Sequence, residues 1–132
     1  METKPQSRVL IVDDMRVNRT ILSSLLAANG VLSDLAESGE ECLALCRENR
    51  YDLILLDHRM PNKDGIETFN EIRIRGMNME TPVIMLTANA LNGASEEYRN
   101  LGFTDYLTKP VDSRELELSL RKYLPKEKVV II

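Results

Sequence analysis

The chain has 132 residues, 43% hydrophobic and 29% charged, the size and balance of one globular domain with enough apolar side chains for a core. A formal charge of −4 and a sequence pI near 5.1 argue against a dedicated binder of nucleic acid or of an anionic membrane surface. No apolar run approaches the ~20 residues of a membrane span, and M-E-T-K-P-Q-S at the start lacks a signal peptide's apolar region. The expectation is a domain facing the cytoplasm, alone or as the cytoplasmic part of a larger membrane-anchored protein.

Residues 1–7 read as a flexible tail. Arg8 to Val12 is a short strand-like run that ends in Asp13-Asp14. From Met15 to Asn29 the pattern turns helical: Val17, Ile21, Leu25 and Ala28 share a face, Leu22 and Leu26 widen it, and that face is expected to meet the core. Asn29-Gly30 stops the helix. Val31 to Glu37 is a weaker, more polar strand suited to a sheet edge. Ser38-Gly39-Glu40-Glu41 offers a cap and an acidic first turn for a helix through about Asn49. Cys42 and Cys46 lie on it; with no second pair and a single His in the chain, they read as reduced, buried or half-buried thiols.

Leu53 to Leu56, between Asp52 and Asp57 and followed by Pro, Asp and Gly, reads as a strand buried on both faces that ends in a turn. Asp57 therefore falls at a strand's carboxyl end. Gly65 to about Gly76 reads as a helix with Ile66, Phe69 and Ile72 inward, and Met77 to Thr81 as a loop in which Met77 and Met79 serve as filling. Val83 to Leu86 is a fourth apolar run, closed by Thr87-Ala88. Asn89 to Leu101 reads as a loosely held helix, because Asn92, Gly93 and Ser95 are poor helix formers. Gly102 ends it, Asp105 to Thr108 forms a brief strand, and Lys109-Pro110 breaks the chain. Asp112 or Ser113 caps a last helix with Leu116, Leu120 and Leu124 buried, and Arg114, Arg121 and Lys122 as ordinary solvated charges. The domain is thus expected over 8–124, with 125–132, ending V-V-I-I, as a tail or the start of a linker. Strands alternating five times with helices imply a parallel sheet covered on both faces.

Four of those strands finish in polar residues at the same end: Asp13-Asp14, Asp57, Thr87 and Lys109. Parallel strands lie ~4.8 Å apart, so these tips can converge on one small ion or anion. Alone, each Asp reads as a helix cap or turn former. Together, three carboxylates repel one another unless a cation sits among them, and all-oxygen ligation favours Mg²⁺, with Mn²⁺ as a substitute. Three Asp, one divalent cation and Lys109 sum to zero charge, so an anionic group would meet no net repulsion. With the Thr87 hydroxyl nearby, such a site suits phosphoryl transfer, and a carboxylate can itself accept the group.

The segments V-L-I-V-D-D, L-I-L-L-D-H-R-M-P-N-K-D-G, P-V-I-M-L-T-A and D-Y-L-T-K-P, in this order, resemble the receiver domain of two-component response regulators from Arg8 to Leu124. The A-N-A and D-H-R-M-P pieces are similar to those of receivers appended to hybrid histidine kinases. The resemblance implies a flavodoxin-like (βα)5 fold, a parallel sheet in the order 2-1-3-4-5. It implies that Asp57 accepts a phosphoryl group from a phosphohistidine on a histidine kinase or histidine phosphotransfer domain. Asp13, Asp14, Asp57 and the backbone carbonyl of Arg59 would hold Mg²⁺, Thr87 and Lys109 would take phosphoryl oxygens, and Tyr106 would turn inward as Thr87 moves. A cis peptide before Pro110 is implied as well. Such a domain is a switch rather than an enzyme, catalysing only its own phosphorylation and slow dephosphorylation; the effector or covalently linked domains it acts on are not named by the sequence.

Arg59 and Asn89 flank the site two residues after Asp57 and Thr87, where they would affect attack of water on the acyl phosphate. His58, with no partner in view, reads as a solvent-facing loop residue. Two other functions fit part of the pattern. A Mg²⁺-dependent phosphatase with an aspartyl-phosphate intermediate would also need a strand-end Asp, but such enzymes usually add an acid where this chain has Arg59, and no insertion here is long enough for a cap. A receiver-like docking domain that never takes phosphate would not need the full acidic set.

Overall fold

The structure is a computed structural model and describes residues 6–88 and 94–125. In chain order the elements are β1 (Arg8–Val12), α1 (Arg16–Ala28), β2 (Leu32–Ala36), α2 (Gly39–Glu48), β3 (Leu53–Asp57), α3 (Gly65–Ile74), β4 (Val83–Thr87), α4 (Ala94–Asn100), β5 (Asp105–Thr108) and α5 (Ser113–Tyr123). The five strands form one parallel sheet in the order β2-β1-β3-β4-β5, the flavodoxin-like arrangement expected from the sequence. The polar strand β2 takes one edge.

All five residues of β3 and of β4 are buried, which is why these runs carry no hydrophobic alternation. Their pleat divides the core in two. Leu10, Val12, Ile54, Leu56, Val83 and Met85 pack with Cys42, Cys46, Phe69, Ile72 and Tyr98 from α2, α3 and α4. Val9, Ile11, Leu53, Leu55, Ile84 and Leu86 pack with Leu22 and Leu26 of α1 and Leu116 and Leu120 of α5. Helix ends are fixed by short polar side chains: Ser38 accepts from Glu41 N, Asp112 accepts from Glu115 N, and Asp64 forms a reciprocal capping box with Glu67. Cys42 and Cys46 are free and buried on α2. The Lys109–Pro110 peptide is cis.

Helix α1 buries only part of the expected face, with Leu25 packed against the core. Val17 and Ile21 are 56% and 52% exposed and Ala28 is exposed, whereas Leu22 and Leu26 meet the sheet. The cause lies one turn earlier, where the Arg19 guanidinium donates to Asp13 O at 2.9 Å and Asn18 Nδ2 to Asp13 Oδ1 at 3.5 Å. Tying residues 18 and 19 to the end of β1 turns the positions three to eight residues on, 22 and 26, toward the sheet. The 17–21–28 stripe then points to solvent.

The 77–81 loop also differs. Met77 and Met79 are 48% and 45% exposed and fill nothing; Asn78, 2% exposed, does. Its Nδ2 donates to Cys46 O and Asn49 O, and its Oδ1 accepts from Tyr51 N and the Thr81 hydroxyl. One buried amide thereby ties the end of α2 to the start of β3. Ser7, placed by the sequence in the tail, is buried, and its carbonyl accepts from Leu32 N. Asn89, Asn92, Gly93 and the V-V-I-I end lie outside the described residues. Among the described residues no helix is long and apolar enough to cross a membrane.

Candidate functional site

The register brings the polar tips to one rim. Val12 pairs with Leu56, which sets Asp13 level with Asp57; Asp57 pairs with Leu86, and Thr87 with Thr108, just before Lys109. Beyond the strand, His58 N donates to Leu86 O, and Lys109 N donates to Thr87 O at 2.8 Å. Gly65 then returns the chain across the end of β3, its N–H donating to His58 O at 2.9 Å. A Cβ at Gly65 would stand 2.4 Å from the Asp57 backbone carbonyl oxygen, so only glycine lets α3 start this close to the end of β3.

Lys109 Nζ lies 2.8 Å from Asp57 Oδ1 and 3.1 Å from Asp13 Oδ2. Burial pushes the Asp57 carboxyl up to about 6, because desolvation, with Asp13 and Asp14 nearby, outweighs the pull of Lys109. Burial by itself would lower the Lys109 ammonium, but its bonds to Asp57 and Asp13 win and raise it. The lysine stays charged; the acid is held reluctantly ionised.

Asp13 is fully buried, and its Oδ1 accepts from Met15 N at 2.9 Å. Its Oδ2 faces Lys109 Nζ at 3.1 Å. Oxygens of Asp13, Asp14 and Asp57 lie within 4.8 Å of one another, with Asp14 exposed. An all-carboxylate donor set of this kind fits a hard divalent cation. The Arg59 side chain is exposed.

Thr87, at the end of β4, is 3% exposed and accepts from the Tyr98 hydroxyl at 3.1 Å. The sequence reading passed over Tyr98. It is the one large aromatic in S-E-E-Y-R-N, and on so polar a helix such a residue has to face the sheet. Its hydroxyl also stands 3.4 Å from His58 Nδ1, with the two rings edge to face. His58 is therefore half-buried against α4 rather than a partnerless loop residue. Tyr106 on β5 is half-buried, its ring centroid 5.9 Å from that of Tyr98.

A doubly wound parallel sheet with a strand-end carboxylate between a lysine and an acidic pair defines the class of phosphoacceptor α/β domains. Residues 9–121 match the family model for the response regulator receiver domain, and the chain belongs to that family. It is 34% identical over 124 residues, 94% of its length, to the signal transduction histidine-protein kinase BarA of Escherichia coli, of which it spans 14%. Among solved structures it resembles the receiver domain of the sensor histidine kinase PA1611 of Pseudomonas aeruginosa, with a magnesium ion coordinated in the active-site cleft: TM-score 0.81, 35% identity, 90% of this chain and 98% of that one. It also resembles the receiver domain of Saccharomyces cerevisiae Ssk1, solved with the histidine phosphotransfer protein Ypd1: TM-score 0.82, 27% identity, 98% of this chain and 96% of that one.

Proposed function

We propose that Asp57 is the phosphoacceptor of this receiver, taking a phosphoryl group from a phosphohistidine on a histidine kinase or a histidine phosphotransfer protein. In the transfer the P–N bond to the donor imidazole breaks, its electron pair stays on that nitrogen, and an Asp57 carboxylate oxygen forms the new P–O bond. The observation that carries this reading is Lys109 Nζ at 2.8 Å from Asp57 Oδ1, beside the acidic trio of Asp13, Asp14 and Asp57. Lys109 is placed to follow the negative charge from the carboxylate to the phosphoryl oxygens, and the Thr87 hydroxyl to donate to another. Mg²⁺, held by Asp13, Asp14, Asp57 and the Arg59 carbonyl, would neutralise the remaining charge when bound, and Mn²⁺ would substitute. The magnesium-loaded PA1611 receiver supports that choice of ion.

The new dianion then draws on Thr87, and Tyr106 and the face from Asn89 to Tyr106 respond, of which 89–93 lie outside the described residues. We assign the chain the role of a cytoplasmic switch whose reactions are its own phosphorylation and dephosphorylation. The kinase relative and the Ypd1 complex of Ssk1 support a phosphorelay setting. Incubation with a small acyl phosphate and Mg²⁺, read by intact mass, is expected to add one phosphoryl group to the wild type and none to Asp57→Asn. No adduct on the wild type, or an equal one on the variant, would reject the assignment. Sustained turnover of phosphate esters would favour a phosphatase instead.

A further inference from the structure

Thr87 has its hydroxyl oxygen occupied from behind. Tyr98 donates to Thr87 Oγ1 at 3.1 Å, and both residues are buried, 6% and 3% exposed. A hydroxyl has one proton and two lone pairs, so an oxygen that accepts from one side keeps its own proton for another acceptor. The Tyr98 hydroxyl has a single proton too. Once that proton is given to Thr87, the contact of Tyr98 Oη with His58 Nδ1 at 3.4 Å is satisfied only with the imidazole as donor. The three groups then form a chain, His58 to Tyr98 to Thr87, that ends on the hydroxyl at the tip of β4. Successive hydrogen bonds polarise one another, so a threonine that accepts from Tyr98 becomes a better donor itself.

We infer that Tyr98 is a positioning residue for phosphoryl recognition: it orients and polarises the Thr87 hydroxyl so that its proton is presented to a phosphoryl oxygen on Asp57. This rests on the assignment of Asp57 as acceptor and adds to it a residue from α4 that does not touch the phosphoryl group. The Tyr98 ring is held independently of its hydroxyl, edge to face with Phe103 at 6.2 Å and tilted against Tyr106 at 5.9 Å. Tyr98→Phe therefore removes the donor and keeps the packing.

The test is binding of beryllium fluoride, a phosphoryl analogue, with Mg²⁺ to the whole chain, followed by fluorine NMR, with thermal unfolding measured alongside. Tyr98→Phe is expected to fold and to bind the analogue about 2- to 10-fold more weakly, the worth of one neutral hydrogen bond. In a Thr87→Ala background the same change is expected to have no further effect, because the residue it acts through is gone. A purely structural hydroxyl would lower the melting temperature and leave the affinity alone. Unchanged or tighter binding by Tyr98→Phe, or a full loss that persists without the Thr87 hydroxyl, overturns the inference while leaving Asp57 as acceptor. A wild type that binds no analogue, or binds it equally after Asp57→Asn, overturns the acceptor assignment and this inference with it.

Discussion

At the residue scale the site is organised by the cost of burying Asp57. Its carboxyl is pushed up to about 6, so between about pH 4 and pH 6 the folded protein holds a proton there that the unfolded chain has released. The stability this contributes is present at low pH and lost as pH rises from about 4 through about 6. Above that range the metal-free protein carries a strained buried anion. Asp57→Asn is accordingly expected to stabilise the metal-free protein by on the order of 1–3 kcal/mol at neutral pH and by almost nothing near pH 4, as read from urea unfolding at both values. An equal effect at the two pH values would mean that Asp57 is not the group concerned.

At the scale of elements, α1 leaves two large apolar side chains in water. Val17 and Ile21 are exposed on the helix that follows Asp13-Asp14, so a protein bringing its phosphohistidine to Asp57 has to cover ground next to them. We expect Ile21→Ser to change stability by under about 0.5 kcal/mol, since the side chain is already in water. The same variant is expected to slow transfer from a phosphorylated histidine phosphotransfer protein several-fold while leaving reaction with a small acyl phosphate unchanged. Equal slowing with both donors would place the defect in the chemistry and exclude a docking role for the stripe. A hydrophobic period shows that a face exists; here a polar tie at Asn18 and Arg19 decides which way it points.

On the scale of the whole molecule, the rim gathers charge from the ends of β1, β3 and β5, which cannot relax apart because those strands and β4 between β3 and β5 are held in register. A cation that binds only the folded form stabilises it by mass action, about 2.7 kcal/mol at a hundred times its Kd. Mg²⁺ is therefore expected to raise the melting temperature by several degrees at pH 7.5. Near pH 5, where a proton competes for Asp57, the gain should shrink, and Asp13→Asn should abolish it. A rise of the same size in that variant would locate the cation elsewhere.

Most of the architecture was legible in the chain itself. Strand positions followed from short apolar runs, the edge position of β2 from its polarity, and the caps at Ser38 and Asp112 from the chemistry of short polar side chains at helix starts. Asp13, Asp14, Asp57, Thr87 and Lys109 could be picked out because parallel strands put their carboxyl ends at one rim whatever the loops do. These are local signals, and local propensity carries them. Only the tertiary structure decided which side of α1 meets the sheet, that Asn78 rather than the neighbouring methionines fills its loop, and that Tyr98 reaches Thr87 and His58. The side of α1 turns on bonds from Asn18 and Arg19 back to Asp13, and the other two on polar contacts between segments far apart in sequence, where periodicity along a chain holds no information about which distant group will answer a hydrogen bond.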